Sequence, residues 1–227
     1  MRFRFLAYLV VVSLVFLRNA TGQDFQNLDF ESANLSPVPP GQFGGFVSIT
    51  NALPGWSGYL GLNQVTSVWQ NDLSLGAASI DILGPDWNLS GIIDGQFTVV
   101  LQPGLDPFGS GNIVSASISQ TGLVPISTES LLFKAQPNSG ATSLLVSLGG
   151  QNISFSAIST GPNYTQYGGN ISAFAGQTEQ LTFTAVANAG NFWNINDIQF
   201  SPSSVPEPSV LGLFVLGGLF FRFRSSN

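Results

Sequence analysis

The sequence predicts an all-β fold: an antiparallel two-sheet sandwich of jelly-roll type, flanked by an N-terminal signal-peptide helix and a C-terminal hydrophobic helix. Three observations carry this. Short segments between residues 23 and 204 alternate apolar and polar side chains at period two. Gly, Pro, Asn or Asp punctuates them about every eight to fifteen residues, the spacing of a sandwich. No stretch of that region has a helical period, and the long apolar runs sit at the two ends of the chain.

The chain divides into residues 1–22, a signal peptide; 23–200, a β-sandwich domain; 201–208, a Pro/Ser linker; and 209–227, a hydrophobic segment with a basic end. Arg2 and Arg4 form a positive n-region and residues 5–17 (FLAYLVVVSLVFL) an apolar h-region. Ala20 and Gly22 are the small residues for cleavage before Gln23. In SASISQT (115–121), Ala116 and Ile118 share one face and the serines the other. NISFSAI (152–158) places Ile153, Phe155 and Ala157 together, and QLTFTAV (180–186) does so with Leu181, Phe183 and Ala185. Further strands are expected at 46–50, 78–83, 97–102, 130–135, 143–148 and 196–200. Loops are expected at 36–45, 102–111 and 159–169, where Gly and Pro cluster.

Composition removes several functions. Between residues 23 and 204 the only basic side chain is Lys134, against eleven carboxylates, a net charge of −10. A phosphate backbone is bound through clustered Lys and Arg, so no nucleic acid partner is expected. The chain has no Cys, so apolar burial must hold the domain together. Without His or Cys there is no Ser-His-Asp triad, no thiolate nucleophile and no ordinary zinc site. Lys134, in the strand-like LLFKAQ, reads as a solvated strand residue rather than a phosphate ligand.

The C-terminus carries the address. Val205, Pro206, Glu207 and Pro208 precede an uncharged apolar run from 209 to 221, and Arg222 and Arg224 follow, separated by Phe223. Thirteen helical residues span about 20 Å, short of the ~30 Å hydrocarbon layer, so the segment is a marginal permanent anchor. The trailing arginines would stay in the cytoplasm and leave the domain outside. This arrangement resembles a PEP-CTERM sorting signal. The resemblance implies recognition by an exosortase, a membrane transpeptidase cutting near Pro206, Glu207 and Pro208. A plain single-pass anchor is the other reading. The expected location is the cell surface or extracellular matrix, with at least transient anchoring in the inner membrane. A second resemblance rests on NLDFESA (27–33), ALPGWSGY (52–59) and FWNINDIQFS (192–201), which look like the start and end patterns of secreted proteins with a galactose-binding-like jelly roll.

Carboxylate and aromatic chemistry remain. No enzyme activity is expected and no cofactor is required. Calcium is the one metal the inventory admits, with Asp29, Glu31 and Asp197 as candidate ligands near the two chain ends, or else as solvated carboxylates. Binding to extracellular polysaccharide would use aromatic faces beside amides and carboxylates. The candidates are Asp86 and Trp87 in GPDWN, and Tyr164 and Tyr167 in NYTQYGG. Trp56, Trp69 and Trp193 read as core. A glycoside hydrolase using a carboxylate pair is the least favoured alternative.

Overall fold

The alternating segments form strands, and the strands form two packed sheets. The computed structural model describes residues 23–39, 42–87, 91–138, 143–187 and 191–205. In chain order the strands begin with β1 (Phe46–Ser48), β2 (Ser57–Leu60), β3 (Asn63–Val65), β4 (Ser67–Gln70), β5 (Ser79–Leu83) and β6 (Thr98–Gln102). A hairpin follows, β7 (Gly104–Leu105) with β8 (Ile113–Val114), then β9 (Ala116–Leu123), β10 (Ser130–Pro137), β11 (Leu144–Leu148) and β12 (Gln151–Asn152). The chain closes with β13 (Ser156–Thr160), β14 (Thr165–Asn170), β15 (Thr178–Ala185) and β16 (Trp193–Ser201). One sheet has the order β1-β4-β5-β6-β16-β10-β14-β13, the other β12-β11-β15-β9-β2-β3, and β7-β8 stand apart. From β9 onward the chain crosses repeatedly between the two sheets, because each new strand buries its apolar face against the opposite one.

The core lies between the sheets. Leu181, Phe183 and Ala185 of β15 are fully buried, as their period predicts, and face Leu101, Phe133 and Ile195 from the other sheet. Phe133 is the hub. Its ring centroid lies 5.2 Å from Phe155 and from Phe183 in edge contacts, and 5.5 Å from Tyr167. Each such aromatic buries area worth about 1.5–3 kcal/mol, and each pair adds about 0.5–1.5 kcal/mol.

β5 and β6 are buried on both faces. Their outer face is covered by a second, smaller apolar group in which Leu83, Trp87 and Val100 pack with Leu73, Ile92 and Phe192. Residues 71–78, 84–87 and 91–97 thus contribute to a partial third layer.

Several expectations need correction. The large sheet is mixed, because β4 and β5 run parallel through Trp69↔Asp81 and Gln70↔Ile82. Asn71 makes the exit possible with φ +48°, a conformation that Asn tolerates, and its Oδ1 accepts the Gly84 amide at 2.7 Å. The strand expected at 46–50 stops at Ser48 and turns into a short helix, α1 (Ile49–Ala52). NISFSAI splits into β12 and β13, which belong to different sheets, so Ile153 and Phe155 lie in the crossing between them. The loop expected at 159–169 contains most of β14, a strand paired on both sides. Its glycines suggested a turn; instead a Cβ on Gly169 would lie 2.5 Å from the Ser154 carbonyl oxygen, so the glycine admits a neighbouring backbone. The two terminal helices, at 1–22 and 209–227, lie outside the described residues.

Candidate functional site

The aromatics nominated from the sequence are occupied. Trp87 is only 8 % exposed, packed against Leu83 and Val100, so its ring offers no face to a ligand. Asp86 beside it is exposed, and its Oδ2 accepts the Val38 amide at 3.2 Å. Tyr167 is a strand residue half-buried among Phe133, Phe155 and Trp193. Tyr164 is half-buried, with the Lys134 ammonium 5.0 Å from its ring centroid. These four residues therefore do not form an open stacking platform.

The acidic trio is also divided. Asp29 Oδ1 accepts the Glu31 amide at 3.2 Å, and Glu31 Oε1 accepts the amides of Gln96 and Phe97 at 2.8 and 3.1 Å. Asp197 turns elsewhere. Two residues of β16 oppose one of β10 between Asn196 and Gln199, a bulge in which Asp197 has φ +48°. There it meets Lys134: Nζ lies 2.9 Å from Asp197 Oδ2 and 2.7 Å from Asp94 Oδ2. Among the described residues no group of three or more acidic side chains is placed to hold a metal.

Lys134 is accordingly not a solvated strand residue. Its side chain is 16 % exposed. Burial pulls its pKa down, but hydrogen bonds to and the charges of Asp197 and Asp94 outweigh that and raise it above the ordinary lysine value. The ammonium fills the space between the two carboxylates. Asn196 completes the arrangement, its Nδ2 donating to the carbonyls of Asp94 and Phe97, each at 2.7 Å, and so pinning the 94–97 turn to β16.

Among the described residues Asp81 is the one fully buried carboxyl. Its Oδ2 accepts the Ser79 hydroxyl at 2.7 Å, and its Oδ1 has no partner. Burial raises its pKa to about 8; the Ser79 hydrogen bond opposes this and the charge of Asp72 adds to it.

A concave feature lies where β4 and β5 begin. A cleft of about 420 Å³ gathers Leu60, Gln64 and Val65 from β2 and β3, Trp69 and Ser79 from β4 and β5, and Phe108 from the tip of the β7–β8 hairpin. Phe46 and Trp69 are directly opposed across β1 and β4 with ring centroids 3.8 Å apart. Phe46 is 65 % exposed and Phe108 57 %. The lining holds no charged side chain. Trp69 is therefore not core, contrary to expectation. The signal was present in SVWQ: Val68 faces the core, and period two sends its neighbour Trp69 to the other side.

Asp106 shapes the hairpin tip, its carboxylate accepting the amides of Phe108 and Ser110 at 3.0 and 3.3 Å. Hydrogen bonds to Ser110 and Phe108 hold its pKa below the ordinary carboxylate value.

No protein-family profile matches the chain, and no curated protein does. Among solved structures it resembles the enzymatically active domain of tailspike protein 4 of bacteriophage CBA120, with 14 % identity and a TM-score of 0.36. The match covers 63 % of this chain and 19 % of that one, so this chain spans about a fifth of its length. At that TM-score the likeness assigns no function.

Proposed function

We propose that this chain is an exported, non-enzymatic protein of the cell surface or extracellular matrix, delivered by a PEP-CTERM tail that an exosortase processes. The observation that carries the reading is where the fold finishes. β16 is a central strand held between β6 and β10, and it ends at Ser201, five residues before Pro206. Cutting near Pro206, Glu207 and Pro208 leaves every strand pair of the domain intact. Val205 is half-buried against β14, near Gly168. Pro206, Glu207, Pro208, Arg222 and Arg224 lie outside the described residues. So does any helix of the tail; among the described residues no helix is long and apolar enough to cross a membrane.

The finer fold reading, a galactose-binding-like jelly roll, belongs to this proposal and is supported by the alternation of strands between the two sheets. Within the surface role, the uncharged aromatic cleft favours carbohydrate binding as the activity of the domain itself. A glycosidase is less favoured, since Asp94 and Asp197, two carboxylates that the fold brings together, enclose Lys134 instead of space for a glycosidic oxygen. Expression of the full chain with and without an exosortase, followed by intact mass of the released protein, tests the sorting. The expected product ends near Pro206 and is lost in Glu207→Ala. A full-length, membrane-retained chain with both proteins would overturn it.

A further inference from the structure

The end of the sandwich that holds the cleft carries a group of exposed apolar side chains. Leu62, at the β2–β3 turn, and Leu75, in loop 71–78, are fully exposed. Leu105 and Ile113 of the β7–β8 hairpin are 51 % and 40 % exposed, beside Phe108. These belong together. Ala77 bridges Leu105, and a Cβ on Gly61 would lie 3.2 Å from Val114, so both turns abut the hairpin. A contiguous apolar rim of this kind marks an interaction site.

The chemistry of the rim and cleft selects the ligand class. Phe46, Trp69 and Phe108 offer flat apolar surfaces, suited to the C–H faces of pyranose rings. Gln64, Thr66 and Ser67 in the same wall are exposed amide and hydroxyl groups that both donate and accept, as sugar hydroxyls require. No cation is present to hold a uronate or sulfate, and a domain of net charge −10 repels acidic chains at moderate ionic strength.

Position agrees with this. Trp193, the first residue of β16, is in register with Leu101, and Leu101 with Ile80 in the cleft wall. Ser201 ends the same nine-residue strand, about 25 Å away at ~3.3 Å per residue. The cleft therefore opens at the end of the sheet opposite to the one where the tail departs.

We infer that the cleft binds an uncharged polysaccharide, seating about two consecutive pyranose rings in its volume against Trp69, Phe46 and Phe108. This rests on the carbohydrate reading of the domain and adds its site and its ligand class.

Affinity electrophoresis and calorimetry of the full-length chain in mild detergent test it, with neutral probes (mixed-linkage β-glucan, xyloglucan, galactomannan) against acidic ones (alginate, hyaluronan). The expected result is retention by at least one neutral polymer, with Kd raised roughly ten-fold or more by Trp69→Ala and by Phe108→Ala. Phe108 stands on an exposed hairpin tip, so that variant leaves the core untouched, and its melting temperature checks this. Stronger binding to the acidic probes, or retention unchanged in both variants, overturns the site and ligand class while leaving a carbohydrate-binding domain. Retention by no polymer overturns that broader reading as well. Loss of self-association in the variants, without glycan retention in the parent, would assign the rim to a second copy of the chain.

Discussion

Replacing Asp81 by Asn removes a buried acid whose proton is coupled to folding. In the folded chain burial raises the carboxyl pKa to about 8, whereas the unfolded carboxyl has the ordinary value of 3.8. Between these values the folded state keeps the proton and the unfolded state has lost it. The folded state thus binds more protons, and stability falls as pH rises. It is full below about pH 4 and declines until the pH passes about 8. From pH 5 to pH 7 the slope is about 1.4 kcal/mol per pH unit, or about 3 kcal/mol in all, a large share of an ordinary domain's stability. Asn is isosteric and neutral and can still accept the Ser79 hydroxyl, so Asp81→Asn removes the slope. Urea unfolding followed by tryptophan fluorescence at pH 5, 6 and 7 measures it. Other carboxylates titrate alike in both proteins, and the difference between the two curves isolates Asp81. A difference of about 3 kcal/mol that opens toward pH 7 is expected. Parallel curves would refute the reasoning and place Asp81 in contact with water.

Lys134→Met leaves Asp94 and the partly buried Asp197 facing each other without a cation, and should cost about 1–3 kcal/mol in chemical unfolding. A loss under about 0.5 kcal/mol would show the pair to be worth no more than a surface bridge. Phe133→Ala opens a cavity where three aromatic rings converge and should cost about 3–5 kcal/mol, read from the urea midpoint at unchanged slope. Calcium and a chelator should give melting temperatures agreeing within about 1 °C, because Asp29, Glu31 and Asp197 are engaged with amides and an ammonium. A clear rise with calcium would restore the metal reading.

Period two was enough to locate β9 and β15, and strand-forming composition β10 and the buried β5 and β6, since both are local properties that burial then enforces. It failed at β14, where Gly168 and Gly169 signal a turn locally but in the fold make room for the Ile158 and Leu132 side chains and for the Ser154 backbone, and at residues 152–158, where one alternating run serves two sheets. Trp87 shows the same limit. Its turn-rich surroundings suggested exposure, but it packs with Leu73, Ile92 and Phe192 over Leu83 and Val100 and is buried there.

Chain order and residue type by themselves determined the all-β class, the strongly acidic and cysteine-free domain, the exclusion of histidine and thiol chemistry, and the expectation of export at both ends. Only the tertiary structure decided the parallel β4–β5 pair, the buried Asp81, the Lys134 bridge across the Asp197 bulge, and the meeting of Phe46, Trp69 and Phe108. Each of these depends on which distant strands become neighbours. That choice is made by the burial of whole sheet faces, a sum over the chain that no local pattern contains.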